Sequence, residues 1–202
     1  MSLIGVSHGC HLSVYLTGQL LTGVCFLRTV YFIGIYFRNF TMGLEIERKF
    51  LVADADYAAI SRGCRHIEQF YLSADPERTV RVRIADSRAW VTIKGLTQGC
   101  TRHEWEYEIP VADACGMRPL AEGRVVRKTR YLVDALSADG AELTWEVDIF
   151  EGALAGLRVA EVELPDAATG VVLPDFIVRE VTGLPEYYNS ELALAPSLPA
   201  LQ

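Results

Sequence analysis

The sequence predicts a mainly β chain of the α+β class: an eight-stranded antiparallel, closed, tunnel-like β-barrel with a charged lumen and a few short helices outside. Three observations predict it. From Leu44 onward, apolar and polar residues alternate with period two in segment after segment, as half-buried strands do. Turn residues separate the segments at short spacing, which favours antiparallel neighbours, because parallel strands need crossovers of a dozen or more residues. The polar faces are almost entirely charged, with signs sorted by strand. A water-facing sheet explains that poorly, whereas charged faces converging inside a barrel explain it well.

The elements follow in order. Segment 44–52 reads LEIERKFLV and sets Glu45, Glu47 and Lys49 on one face. Asp54 can cap a short helix through Arg62, ended by Gly63. Segments 65–73 and 78–85 flank the turn Ala74-Asp75-Pro76, and TVRVRI places Arg81 and Arg83 opposite Val80, Val82 and Ile84. Beyond the turn Ala85-Asp86-Ser87, segment 88–95 sets Lys94 beside Thr92. Gly95 to Gly99 then turns the chain into 103–111. There Arg102, Glu104, Glu106 and Glu108 share a face opposite Trp105, Tyr107 and Ile109. A second helix is expected over 112–121, weakened by Gly116 and Pro119. Segment 124–133 carries Lys128 and Arg130. After the turn Ala138-Asp139-Gly140, segment 142–150 carries Glu146 and Asp148. Segment 157–164 carries Glu161 and Glu163, a short turn follows Asp166, and a third helix is expected over 189–194.

Half of the 202 residues are hydrophobic and 22% are charged, which suits one globular domain with a sizeable core. The net charge of −7 argues against a nucleic-acid partner. Cys10, Cys25, Cys64, Cys100 and Cys115 form no CxxC pair, so reduced thiols in a cytoplasmic protein are expected. Residues 1–41 hold no Asp or Glu and only Arg28 and Arg38, leaving 17 bases against 26 acids beyond them. This apolar extension is expected to lie outside the catalytic domain, 42–195, which would begin at Met42 and end before a short tail, 196–202. It lacks the basic start of a signal peptide. Its apolar run, Leu12 to Leu27, falls short of the roughly 20 residues of a membrane span, so a membrane anchor is the lesser alternative. The four histidines, His8, His11, His66 and His103, are scattered, and solvent exposure is the expectation for each. Trp90, Trp105 and Trp145 are assigned to core packing.

The charged face has a chemistry of its own. An unpaired buried ion costs several kcal/mol, and six bases, Lys49, Arg81, Arg83, Lys94, Lys128 and Arg130, exceed what internal pairing explains. They suit an oligophosphate, which Arg grips bidentately and Lys meets as a point charge. Carboxylates cannot touch phosphate directly, so their presence implies a bridging hard cation, Mg²⁺ or Mn²⁺.

At this point the chain resembles a known family. Glu45-x-Glu47-x-Lys49 is similar to the ExExK signature of the CYTH superfamily, the triphosphate tunnel metalloenzymes. The resemblance runs in order over nearly all of 42–195: Gln69-Phe70-Tyr71-Leu72, Arg81-x-Arg83, Ile93-Lys94-Gly95, Arg102-x-Glu104-x-Glu106, Glu122-Gly123-Arg124, Lys128-Thr129-Arg130-Tyr131, Glu146-x-Asp148, Glu161-Val162-Glu163, Val181-Thr182-Gly183 and Tyr188-Asn189-Ser190-x-Leu192-Ala193. It implies an eight-stranded tunnel that binds a triphosphate with divalent metal. Glu45, Glu47, Glu161 and Glu163 would form the main metal group, with Asp148 and Glu146 holding a second ion or positioning water. Lys49, Arg81, Arg83, Lys94, Lys128 and Arg130 would bind the substrate, with Lys49, Lys128 and Arg130 as the candidate catalytic residues. Glu104, Glu106 and Glu146 are candidates for lumen support, and Glu108 is assigned to structure.

One departure stands out: where family members carry bases just before the tail motif, this chain reads Leu184-Pro185-Glu186. The expected activity is metal-dependent hydrolysis of a triphosphate, with inorganic tripolyphosphate preferred and thiamine triphosphate as a variant. An adenylate cyclase making cyclic AMP, and a non-catalytic polyphosphate- or nucleotide-binding module, are the alternatives. The short helices leave apolar strand faces that a homodimer would cover.

Overall fold

The computed structural model describes residues 43–199. The extension 1–41, the start at Met42, the last residues of the tail, and Cys10, Cys25, His8 and His11 lie outside the described residues. Ten strands pair antiparallel, two more than the sequence predicts. They are β1 (Glu45–Val52), β2 (Cys64–Ser73), β3 (Arg78–Ala85), β4 (Arg88–Gly95), β5 (Thr101–Arg102), β6 (Glu104–Ile109), β7 (Glu122–Leu136), β8 (Glu142–Phe150), β9 (Arg158–Glu163) and β10 (Ile177–Glu180). The strand order is β10-β1-β9-β8-β7-β2-β3-β4-β6, with β5 paired to β1.

The extra strands have specific causes. The segment expected as 103–111 breaks at His103: Thr101 and Arg102 pair with Ile46 and Glu45 of β1, whereas Glu104 onward pairs with β4. That exchange of partner is long-range and leaves no trace in local periodicity. β10 has only four residues, Ile177–Glu180, too few to show alternation. Three helices flank the sheet: α1 (Tyr57–Ile60), α2 (Val111–Met117) and α3 (Asn189–Leu194). α1 is shorter than expected because its N-cap is Asp56, whose side chain accepts from the Ala59 amide, and not Asp54. α2 ends in a 3₁₀ turn, Arg118–Leu120, where Pro119 stops the helix.

Burial divides into three clusters. Phe70, Val82 and Ala89 on one sheet face pack under α2 through Ala114. Phe50, Trp145, Val147, Ala160 and Val162 pack beneath Tyr57 of α1 and Phe176, with the Phe50 and Trp145 rings edge-to-face at 5.3 Å. The third cluster lies on the charged side of the sheet. Leu51, Tyr71, Val126, Phe150 and Val159 pack against Leu192 and Ala193 of α3. Gly123 makes that docking close: it sits at φ +72°, and a Cβ there would lie 2.4 Å from the Ala193 carbonyl oxygen. The outward side chains Ile93, Trp105 and Tyr107 of β4 and β6 are exposed.

Candidate active site

Strand register places the charged residues on one face. Lys94 lies opposite both Thr79 and Glu104, Thr92 opposite Arg81 and Glu106, and Trp90 opposite Arg83 and Glu108. Arg130 faces Asp148, Glu146 faces Glu161, Lys49 faces Glu161, and Glu47 faces Glu163. Directly opposed residues share a face, so the period-two pattern alone delivers the whole set to one side.

Two ion-pair networks result. In the first, Lys49 Nζ lies 2.7 Å from Glu161 and 3.5 Å from Glu47. Arg130 donates to both oxygens of Asp148 at 2.6 Å, to Glu161 at 2.9 Å, and to Glu146. Lys128 donates to Asp148 and, at 3.4 Å, to Asn189 of α3. Asp148 is fully buried and Lys128 is 1% exposed. In the second network, Lys94 donates to both oxygens of Glu45 at 3.1 Å, and Arg102 donates to Glu45 as well. Arg83 donates to both oxygens of Glu106, at 3.1 and 2.9 Å, while Arg81 donates to Glu106 and Thr92. Glu104 Oε2 lies 2.7 Å from Lys94 but off the line of a hydrogen bond.

The electrostatics follow from this crowding. Burial and the neighbouring Glu161 raise the Glu47 carboxyl above its ordinary range. Burial, then Glu45, Glu146 and Glu104, do the same to Glu163. Burial would raise Glu161 too, but Lys49, Arg130 and Lys128 hold it well below the usual range. Glu45 is likewise lowered, Lys94 and Arg102 outweighing burial. Burial pushes the Lys128 ammonium down to about 8 despite Asp148. Burial and the neighbouring Arg81 push Arg83 down to about 10. Arg81 Nε and Arg83 Nε are buried without a hydrogen-bond partner, a costly state that an incoming anion would relieve.

The face therefore gathers every residue proposed from sequence. It also holds several that sequence reading left without a role. Arg102 lines a cleft with Glu45, Glu47, Lys49, Thr182 and Tyr188. It belongs to the Arg102-x-Glu104-x-Glu106 motif, and its parity groups it with Glu104, whereas β5 sets it against Glu45. Gln69 and Tyr71 are buried on the same face, Gln69 Nε2 donating to the Tyr71 hydroxyl at 3.0 Å. Burial raises that hydroxyl to about 12. Trp90 is a correction: it stands on the charged face and not in the core. Trp145 is buried as expected, whereas Trp105 is exposed.

The donor chemistry suits a hard divalent cation: Glu47 and Glu163 are opposed carboxylates, each raised by burial and by neighbouring acids, a repulsion that a cation would offset. Among the described residues, no three His, Cys, Asp or Glu side chains converge closely enough to hold a metal as they stand. The acids are instead drawn onto Lys and Arg.

A family model described as CYTH domain matches residues 43–194, and the chain belongs to that family. It is 42% identical over 156 residues to a protein named inorganic triphosphatase from Acetivibrio thermocellus, a match spanning 77% of this chain and 96% of that one. A protein of the same name from Nitrosomonas europaea is 36% identical over 157 residues, 75% of this chain and 97% of the relative. The crystal structure of an inorganic triphosphatase aligns with a TM-score of 0.52 at 32% identity, covering 76% of this chain and 96% of that chain.

Proposed function

We propose that this protein is an inorganic triphosphatase, cleaving tripolyphosphate to pyrophosphate and phosphate. The observation that carries this is the assembly of six bases and a matching set of carboxylates on one sheet face, in a chain sharing nearly the full length of relatives so named. The sheet curls so that this face becomes the inside of a tunnel. Supporting that closure, β5 pairs with β1, the Glu104 amide meets the Gly43 carbonyl at 3.3 Å, and Lys94 of β4 reaches Glu45 of β1.

Within the tunnel, Arg81, Arg83 and Lys94 bind the substrate's phosphates, the unpaired Nε atoms of the two arginines turning to phosphate oxygens. Lys49, Lys128 and Arg130, joined through Glu161 and Asp148, stabilise the charge that builds on the transferred phosphoryl and the leaving pyrophosphate. Glu45, Glu47, Asp148, Glu161 and Glu163 would hold Mg²⁺ or Mn²⁺, which supplies charge neutralisation to the phosphates when bound. Glu104, Glu106 and Glu146 orient the bases through their ion pairs. Water is the nucleophile, because among the described residues no Ser, Cys or His side chain joins the ion-pair network. Among the described residues, no helix is long and apolar enough to cross a membrane.

Product analysis tests the reading. The protein is incubated with tripolyphosphate, ATP or thiamine triphosphate in Mg²⁺ and in Mn²⁺. Phosphate release fastest on tripolyphosphate is the expected result. Cyclic AMP with pyrophosphate from ATP would make it a cyclase, and binding without turnover would make it a sensor.

A further inference from the structure

Trp90 is the aromatic residue on the charged side of β4, in a row otherwise made of Arg88, Thr92 and Lys94. It lies directly opposite Arg83 on one neighbouring strand and Glu108 on the other. The Arg83 guanidinium carbon sits 5.4 Å over its ring centroid. The Arg88 guanidinium carbon sits 5.0 Å over the same ring. Arg88 is itself forked onto Glu108, at 2.9 and 2.5 Å. The indole of Trp90 thus meets both guanidiniums, Arg83 inside the charged face and Arg88, itself held by Glu108, at the exposed rim.

Arg83 needs such a support. One terminal nitrogen carries its hydrogen bonds to Glu106, and its Nε is buried without a partner. A guanidinium held at one corner can pivot about that corner. An aromatic face beneath it restricts the pivot while leaving its edge free to donate, since the attraction to the ring comes from the quadrupole and takes up no N–H.

Resting on the reading of Arg83 as a phosphate ligand, we propose that Trp90 is a positioning residue that fixes the Arg83 guanidinium for the triphosphate, with Arg88 and Glu108 bracing the indole from the rim.

The test compares Trp90→Phe, Trp90→Leu and Arg88→Gln by steady-state kinetics on tripolyphosphate with Mg²⁺, each with a thermal melt. Trp90→Leu keeps an apolar side chain without a ring face, and its KM is expected to rise about 3- to 10-fold, with kcat changing less. Trp90→Phe should recover most of that loss. Arg88→Gln, at an exposed position, unbraces the ring and should raise KM about 2-fold. A merely structural role would move the Phe and Leu variants alike and in step with their melting temperatures; that result overturns the proposal. So does a KM unchanged in both Trp90→Leu and Arg88→Gln. If the wild type itself turns over no tripolyphosphate, the reading of the whole site falls, an outcome distinct from failure of the Trp90 inference.

Discussion

Two acids on the charged face have opposite relations to stability. Asp148 is fully buried and is met by Lys128 and Arg130; removing its charge strands the Lys128 ammonium where water cannot reach it and leaves Arg130 only Glu161 and Glu146. Asp148→Asn should therefore cost about 3–5 kcal/mol in denaturant unfolding. Glu47 is directly opposed by Glu163, and like charges facing across a ladder repel. Glu47→Gln should leave stability unchanged or raise it in EDTA, while lowering tripolyphosphate turnover by 10²-fold or more, the scale on which loss of a transition-state electrostatic contact acts. A fall in stability together with activity would show instead that Glu47 serves the fold. The sequence exposed this opposition only partly. Parity put every acid and base on its face, but which acids pair and which collide depends on register between strands far apart in the chain. The same parity places Trp90 beside Thr92 and Lys94, against the core that its residue type suggests.

At the scale of elements, the regular strands were legible because each shows several turns of alternation, as in Arg78–Ala85 and Glu142–Phe150. β5 and β10 were not, being two and four residues long and defined by their partners alone. The docking of α3 onto β7 depends on Gly123, where both the positive φ and the nearby Ala193 carbonyl exclude a side chain. Gly123→Ala is expected to destabilise by at least about 1–3 kcal/mol, read as a lower denaturant midpoint. The junction of β2, β7 and the turn after α2 is expected to weaken in acid. Glu68 accepts from Arg127 at 2.8 Å and from Arg118. Burial would raise its carboxyl, but these two arginines outweigh burial and lower it. A depressed carboxyl contributes stability that is present above its unfolded pKa, near 4.3, and is lost as pH falls through the folded value. Glu68→Gln should therefore lose less stability than wild type on acidification below pH 4.3, measured by thermal melts across pH. Parallel curves for the two proteins would contradict this.

Taken as a whole molecule, the described residues form a sheet whose apolar face is partly covered by α1 and α2, with Ile93, Trp105 and Tyr107 left exposed, and whose charged face is largely neutralised from within. Such a face resists collapse without ligand and is ready to exchange partners. When phosphates take the bases, the released carboxylates require a cation, so substrate and metal should bind as a unit. The opposing signs made that chemistry readable from sequence; the change of partner at His103, which gives the short β5 pairing, was not. The most direct measurement is phosphate release from tripolyphosphate, in Mg²⁺ and in EDTA, by the wild type and a Glu45→Gln, Glu47→Gln variant. The expected result is turnover by the wild type in Mg²⁺, abolished by EDTA and reduced by at least about 10²-fold in the variant. Equal turnover with and without EDTA, or in the variant, would contradict a metal-bridged triphosphate site on this face.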